Sequence, residues 1–216
     1  MGKDSGFDEA SGNAQTSNYG RGGIEGDPLR GEAQDWSGVN NANMSTPPDG
    51  FPPRMQMYLF DGPAPDRDGS LDAEIVIHEY IHGLSGRLVG RDTFIANLQP
   101  SGMGEGWSDF YALCLLSQPG DDVGGNFAAG AYVSKNIVDE NYYFGVRRYP
   151  YSINLVKNPL TYKDIDPAQA STHPGIPMAP WLLGIPADEV HAMGEVWCVT
   201  LWEVRVGLVQ KWGWEI

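Results

Sequence analysis

The rhythm of apolar and polar positions changes several times along the chain. Residues 1–53 hold few periodic apolar positions; Gly, Asn, Asp and Ser dominate, and the stretch closes in the Pro-rich STPPDGFPP. Such a stretch predicts irregular, surface-hugging structure. RMQMYLF (54–60) alternates long apolar and aromatic side chains with others, the period of a strand, and DGPAPDRDGS (61–70) reads as a loop. From Ala73 to Val89 the apolar positions take up helical spacing, with Ser70 placed as the N-cap. GEGWSDFYALCLLS (104–117) predicts a second helix, apolar at Trp107, Phe110, Tyr111, Leu113, Cys114 and Leu115 and broken before PGDD. Residues 118–170 are mixed, with a further helix expected around 128–138. The Pro- and Gly-rich stretch 171–187 excludes regular structure. Residues 188–212 then carry a strong helical pattern from Glu189 through Val190, Met193, Val196, Trp197, Leu201, Trp202, Val206 and Val209. The expectation is an α+β chain, loop- and strand-rich over 1–70 and helical over 71–216.

Composition narrows the function classes. The chain has 216 residues, with 14 Lys+Arg against 28 Asp+Glu and a formal net charge of −14. That balance argues against nucleic acid, whose phosphates need clustered Lys and Arg, and against docking on an anionic membrane surface. No run of about 18 apolar residues is present, so no membrane span is predicted. The first twenty residues are polar and hold no apolar core of a signal peptide. Cys114 and Cys198 allow at most one disulfide, and both also fit small buried hydrophobes.

The chemistry-bearing signal is His78-Glu79-Tyr80-Ile81-His82, an H-E-x-x-H inside the first predicted helix. Helical residues four apart lie on one face, so the two imidazoles can ligate one metal ion. Glu79 sits about a third of a turn round the helix, where its carboxylate can reach a water at the metal. Alone, the pair also fits two satisfied helix histidines. Glu105, 23 residues after His82, opens Glu105-Gly106-Trp107-Ser108-Asp109 on the second predicted helix. Its spacing puts Glu105 and Asp109 on one face. Glu105 can complete a His2Glu set with an open fourth position, the catalytic type of zinc site. Asp109 can accept the N–H of a ligating His and fix its tautomer. His191, opening the last helix, is a candidate for stabilising an oxyanion and equally an ordinary helix-end His. His173 reads as a surface-loop His. Acidic stretches such as 61–72 and Asp121-Asp122 show no EF-hand spacing and read as solvated, with calcium left open.

At these residues the chain resembles the fungalysin family, the extracellular fungal metalloproteases of the thermolysin-like clan. The resemblance extends to GFDEASGN (6–13), RGEAQD (30–35), NNANMSTPPDG (40–50), RMQMYLF (54–60), GLSGRL (83–88), GMGEGWSDF (102–110), RRYPYS (147–152), TYKDI (161–165) and VHAMGEVW (190–197). It implies a thermolysin-like zincin domain with His78, His82 and Glu105 holding one zinc ion and Glu79 as general base. It further implies that Asn40-Asn41-Ala42-Asn43 is the edge strand on which a peptide substrate lies, with Asn41 and Ala42 touching it, that His191 contacts the oxyanion, and that Arg147 or Arg148 helps hold a substrate carbonyl. Family members are secreted zymogens with an inhibitory pro-segment, and their domain extends further at both ends. The resemblance therefore reads this chain as a partial, truncated catalytic domain of a secreted endopeptidase acting on peptides and proteins. The alternative is an inactive zinc-binding remnant.

Overall fold

The computed structural model describes residues 6–62, 64–90, 97–135, 137–169 and 173–214. Strands β1 (Arg30–Ala33), β2 (Ala42–Ser45) and β3 (Arg54–Met57) form one sheet in the order β1-β3-β2. β1 runs parallel to β3, and β2 runs antiparallel to it with Ala42 opposite Met57. β2 is therefore an edge of this sheet. β4 (Leu59–Phe60) and β5 (Arg67–Asp68) pair as a separate ribbon. The helices are α1 (Ala73–Ser85), α2 (Leu98–Leu116), the single turn α3 (Asn141–Phe144) and α4 (Val190–Trp212). The chain is a mixture of helix and strand, the α+β class its pattern predicts.

Several expectations need correction. Residues 1–53 are not wholly irregular, since β1 and β2 lie within them. β1 buries no side chain on either face, so no period-2 pattern marks it. The strand expected over 54–60 breaks at Tyr58 into β3 and β4, and the loop expected over 61–70 contains β5. Asp72, not Ser70, caps α1: its carboxylate accepts from the N–H groups of Glu74 and Ile75 at 3.0 and 3.4 Å, while Ser70 is bonded to Asp68. α1 ends at Ser85 rather than Val89 and passes into a wider turn over Gly86–Gly90.

The second helix begins at Leu98 rather than 104. Pro100 and the glycines before Glu105 read as breakers, but Pro100 falls in the first turn, where a missing N–H costs nothing. One of these glycines serves packing: a β-carbon on Gly102 would stand 2.7 Å from the Met193 Cβ of α4. The helix expected around 128–138 is absent among the described residues, which form turns and isolated bridges from Phe127 to Tyr151 and from Ala129 to Gly145. Its amides are claimed elsewhere: the Gly130 and Val133 N–H groups donate to Glu74 and Asp72 at the start of α1. The stretch 171–187 does carry one short turn of helix at Pro180–Leu182; residues 171 and 172 lie outside the described residues.

The main core lies between α2 and α4 and the 149–160 segment, around Trp202, Tyr151, Val199, Val206 and Leu113. A second cluster joins α1 to the sheet through Ile75, Val76, Met55, Met57 and Ala42. The tryptophans of the last helix divide: Trp202 is fully buried, while Trp212 is 64% exposed. Cys198 is buried and Cys114 partly so, and both are free thiols. Arg87 ties the irregular N-terminal part to the end of α1. Its guanidinium donates to the Asp27 carboxylate at 2.6 Å and to the carbonyls of Gly12 and Phe51 at 2.8 and 2.9 Å. These two α1-flanking attachments, at Asp72 and at Arg87, set α1 between the sheet and α2.

Candidate metal centre

α1 presents His78 and His82 one turn apart, and α2 brings Glu105 opposite them. The His78 and His82 Nε2 atoms are 3.1 Å apart; the Glu105 Oε2 lies 3.2 Å from the first and 3.5 Å from the second. These three form the one group of His, Cys, Asp or Glu donors among the described residues close enough to hold a metal ion. The fit can be tested. Ligands about 2.0–2.1 Å from a tetrahedral zinc are separated from one another by about 3.3 Å. The three spacings bracket that value. The Glu105 Oε2 is also buried and has no hydrogen bond to satisfy it. A buried carboxylate oxygen without a donor is costly, and a cation among the three atoms would supply its partner.

Asp109 sits beneath this group, one helical turn after Glu105. Its Oδ1 lies 2.7 Å from the His78 Nδ1, which leaves the His78 Nε2 lone pair facing Glu105 and His82. Arg147 holds the same carboxylate with two bonds of 2.6 and 2.9 Å, and the Tyr151 hydroxyl donates to it as well. Burial opposes charge on Asp109, but Arg147 and His78 hold its carboxyl well below the usual range. Burial likewise opposes charge on His78, yet the Asp109 and Glu105 carboxylates raise it to about 10. This corner therefore favours a positive charge between the two acids, which either a proton or a metal ion can provide.

A cleft of 780 Å³ opens over the group. Glu79 lines it, buried, with burial pushing its carboxyl upward against the pull of the neighbouring imidazoles. The β2 edge, with Asn41 and Ala42, forms another wall. His191 enters from the first turn of α4, its Nε2 3.4 Å from the Glu105 Oε2. Its Nδ1 lies 2.6 Å from Glu189, which also caps α4 by accepting from the Ala192 N–H. The His191 imidazole holds Glu189 down at about 2 despite partial burial. The structure thus brings His78, Glu79, His82, Glu105, His191, Asn41 and Ala42 together at one cleft, with Asp109 beneath the donor atoms. The two arginines part company: Arg147 lines the cleft, whereas Arg148 turns to Glu195 at 3.0 Å. His173 is not a free surface histidine. It lies 2.8 Å from Asp164, mostly covered and away from the cleft wall. The acidic stretches are used internally: Asp68 and Asp72 cap turns, and Asp121 and Asp122 accept from the N–H groups of Gln118 and Gly124.

Two residues at the site escape the pattern. Glu189 carries a signal in hindsight, an acid at a helix start two residues before a His. Tyr151 carries none, since it reaches Asp109 from a segment without regular structure.

Comparison with known proteins agrees with this geometry. The fungalysin metallopeptidase (M36) family matches residues 3–216. Extracellular metalloproteinase 4 of Arthroderma otae is 42% identical over 211 residues, covering 96% of this chain and 29% of its own length. Extracellular metalloproteinase 4 of Trichophyton soudanense is 41% identical, with 96% and 47% covered, and extracellular metalloproteinase mep of Aspergillus fumigatus is 42% identical, with 96% and 29% covered. The chain thus spans less than a third of the length of two of these relatives and about half of the third. With a family match over nearly every residue and a cluster of donors suited to a metal, this chain belongs to the fungalysin metallopeptidases.

Proposed function

We propose that this chain is the metal-bearing part of a secreted, thermolysin-like zinc endopeptidase that cleaves peptide bonds in proteins. The observation that carries the reading is the set of three donor atoms 3.1–3.5 Å apart, built on two helices, with Glu79 beside them on an open cleft. His78, His82 and Glu105 would hold the zinc, and Asp109 orients His78. A zinc ion there supplies Lewis acidity, polarising the scissile carbonyl and making water acidic near neutral pH.

The chain's own residues supply the rest. Glu79 accepts the proton of the attacking water and passes it to the leaving nitrogen. His191, oriented by Glu189 at its Nδ1, offers in its doubly protonated form an Nε2–H to the oxygen on which negative charge develops. Arg147 stands on the cleft wall where a substrate carbonyl can meet it. The substrate backbone pairs with the β2 edge at Asn41 and Ala42 as an added strand. Secretion follows the relatives, which are named extracellular, and no described helix is long and apolar enough to cross a membrane.

Zinc content and casein cleavage, measured with and without chelator beside Glu79→Gln, test this. One equivalent of zinc, chelator-sensitive cleavage and an inactive variant that keeps its zinc are expected. Zinc without cleavage would favour a metal-binding remnant, and folded protein that takes up no zinc would overturn the ligand set.

A further inference from the structure

Asn40 lines the cleft immediately before the β2 edge, and its backbone is left-handed, with φ +55°. Among L residues with a side chain, Asn and Asp tolerate that region best. Two main-chain bonds show what the kink does. The Asn40 N–H donates to the Leu59 carbonyl at 2.8 Å, and the Asn41 carbonyl accepts from the Tyr58 N–H at 3.3 Å. In a regular strand, successive residues turn their main-chain groups to opposite edges. Here two successive residues both turn toward the 58–59 segment. Only a break in alternation permits that, and the left-handed residue is the break.

The side chains reinforce it. The Asp61 N–H donates to the Asn40 Oδ1 at 2.9 Å, and the Asn40 amide donates back to the Asp61 carboxylate. Beyond the kink regular pairing resumes at once, with Ala42 opposite Met57. With Asn41 spent on Tyr58, alternation points the N–H and C=O of Ala42 to the open side of β2, into the cleft.

We infer that Asn40 and Asp61 form a positioning clasp that sets which β2 residue offers its main chain to a substrate. The inference rests on the peptidase reading for its consequence, but not for its geometry. Neither residue touches the reacting atoms. Breaking the clasp loosens the Asn41–Tyr58 bond and lets the edge slip, which weakens the hold on extended peptides while the chemistry at Glu79 and Glu105 stays intact.

The test uses the full chain, loaded with zinc, in four forms: wild type, Asn40→Ala, Asn40→Gly, and the exchange Asn40→Asp with Asp61→Asn. Asn40→Gly keeps access to the left-handed region but drops the clasp. The exchange restores two bonds, both now donated from position 61 to the carboxylate at position 40. Amide hydrogen exchange without peptide is read first. Protection of the Tyr58 N–H is expected to fall about 10-fold in Asn40→Ala, the order of the left-handed penalty, to fall less in Asn40→Gly and to return in the exchange form. Unchanged protection in Asn40→Ala overturns the clasp whether or not the protein cleaves anything. Kinetics are read next, with a doubly blocked hexapeptide and a blocked dipeptide amide. Asn40→Ala is expected to raise KM about 10-fold for the hexapeptide alone, with kcat kept and the exchange form rescued. Equal KM changes for both peptides, or none, overturn the positioning role. Failure of the wild type to cleave either peptide would be a failure of the peptidase reading, and hydrogen exchange would still decide the clasp.

Discussion

Gly194→Ala perturbs the site through packing alone. Gly194 lies on α4 where α2 crosses it, and a β-carbon there would stand 2.6 Å from the Glu105 Cβ, 3.0 Å from the Gly106 nitrogen and 3.1 Å from the Gly102 carbonyl oxygen. The first of these is about 1 Å short of a normal carbon–carbon separation. None of the three atoms is the far end of a flexible side chain, so α2 and α4 must part. Helix propensity favours Ala over Gly by about 1 kcal/mol, whereas overpacking costs about 1–3 kcal/mol, toward the upper end with three backbone-proximal contacts. The expected result is a net loss of about 2 kcal/mol, or a fall in Tm of about 4–8 °C at this chain length. Because the nearest atom belongs to Glu105, the same separation drags that carboxylate out of place. Metal–ligand distances tolerate only about 0.2 Å, so zinc affinity should drop by at least about 10-fold. Gly207 is the control: it lies on the same helix with nothing within 4 Å, and Gly207→Ala should raise stability by about 1 kcal/mol. Urea denaturation of the metal-free chain and a competitive zinc titration read both quantities. Equal behaviour of the two variants would refute the close-crossing account of these glycines.

Three further outcomes follow from buried charges. Asp109→Asn removes the charge that compensates buried Arg147 and should cost about 3–5 kcal/mol; a loss under about 1 kcal/mol in urea denaturation would contradict that pairing. Arg87→Met should cost a similar amount, since it leaves Asp27 fully buried without its cation, and chymotrypsin should then nick residues 6–53 faster; unchanged nicking would show that Arg87 does not hold that segment. Glu74 is raised from 4.5 to about 7, mainly by burial and then by the Asp72 charge. The folded state therefore binds its proton more tightly than the unfolded state does. Stability is complete below about 4.5 and is lost as pH rises through about 7, by up to about 3 kcal/mol. Glu74→Gln should remove that slope and match the wild type only in acid; parallel curves from pH 4 to 8 would refute it.

Much of the candidate site was legible because helical periodicity is local. Four residues of spacing place His78 and His82 on one face, and four more place Glu105 and Asp109 on another. Helix ends were less legible. The run of Gly and Pro before Glu105 looks like a breaker until α4 is seen lying against it. Ser70 looks like a cap until Asp72 takes the amides. The segment 128–138 had helical composition, but its N–H groups were spent on Asp72 and Glu74, more than fifty residues earlier in the chain.

By itself, then, the sequence determined the donor types, their pairing along α1 and α2, the acidic character of the chain and its α+β class. These depend on composition and on periods within single elements. Only the tertiary structure decided that Glu105 meets both imidazoles within 3.5 Å, that Tyr151 and Arg147 share Asp109, that Glu189 holds His191, and that a left-handed Asn40 turns Ala42 toward the cleft. Apart from the Glu189–His191 contact, made two residues apart at the start of α4, each of these is a contact between segments distant in sequence or a backbone choice made by such contacts. No local period encodes where two helices cross or which edge of a strand is left free.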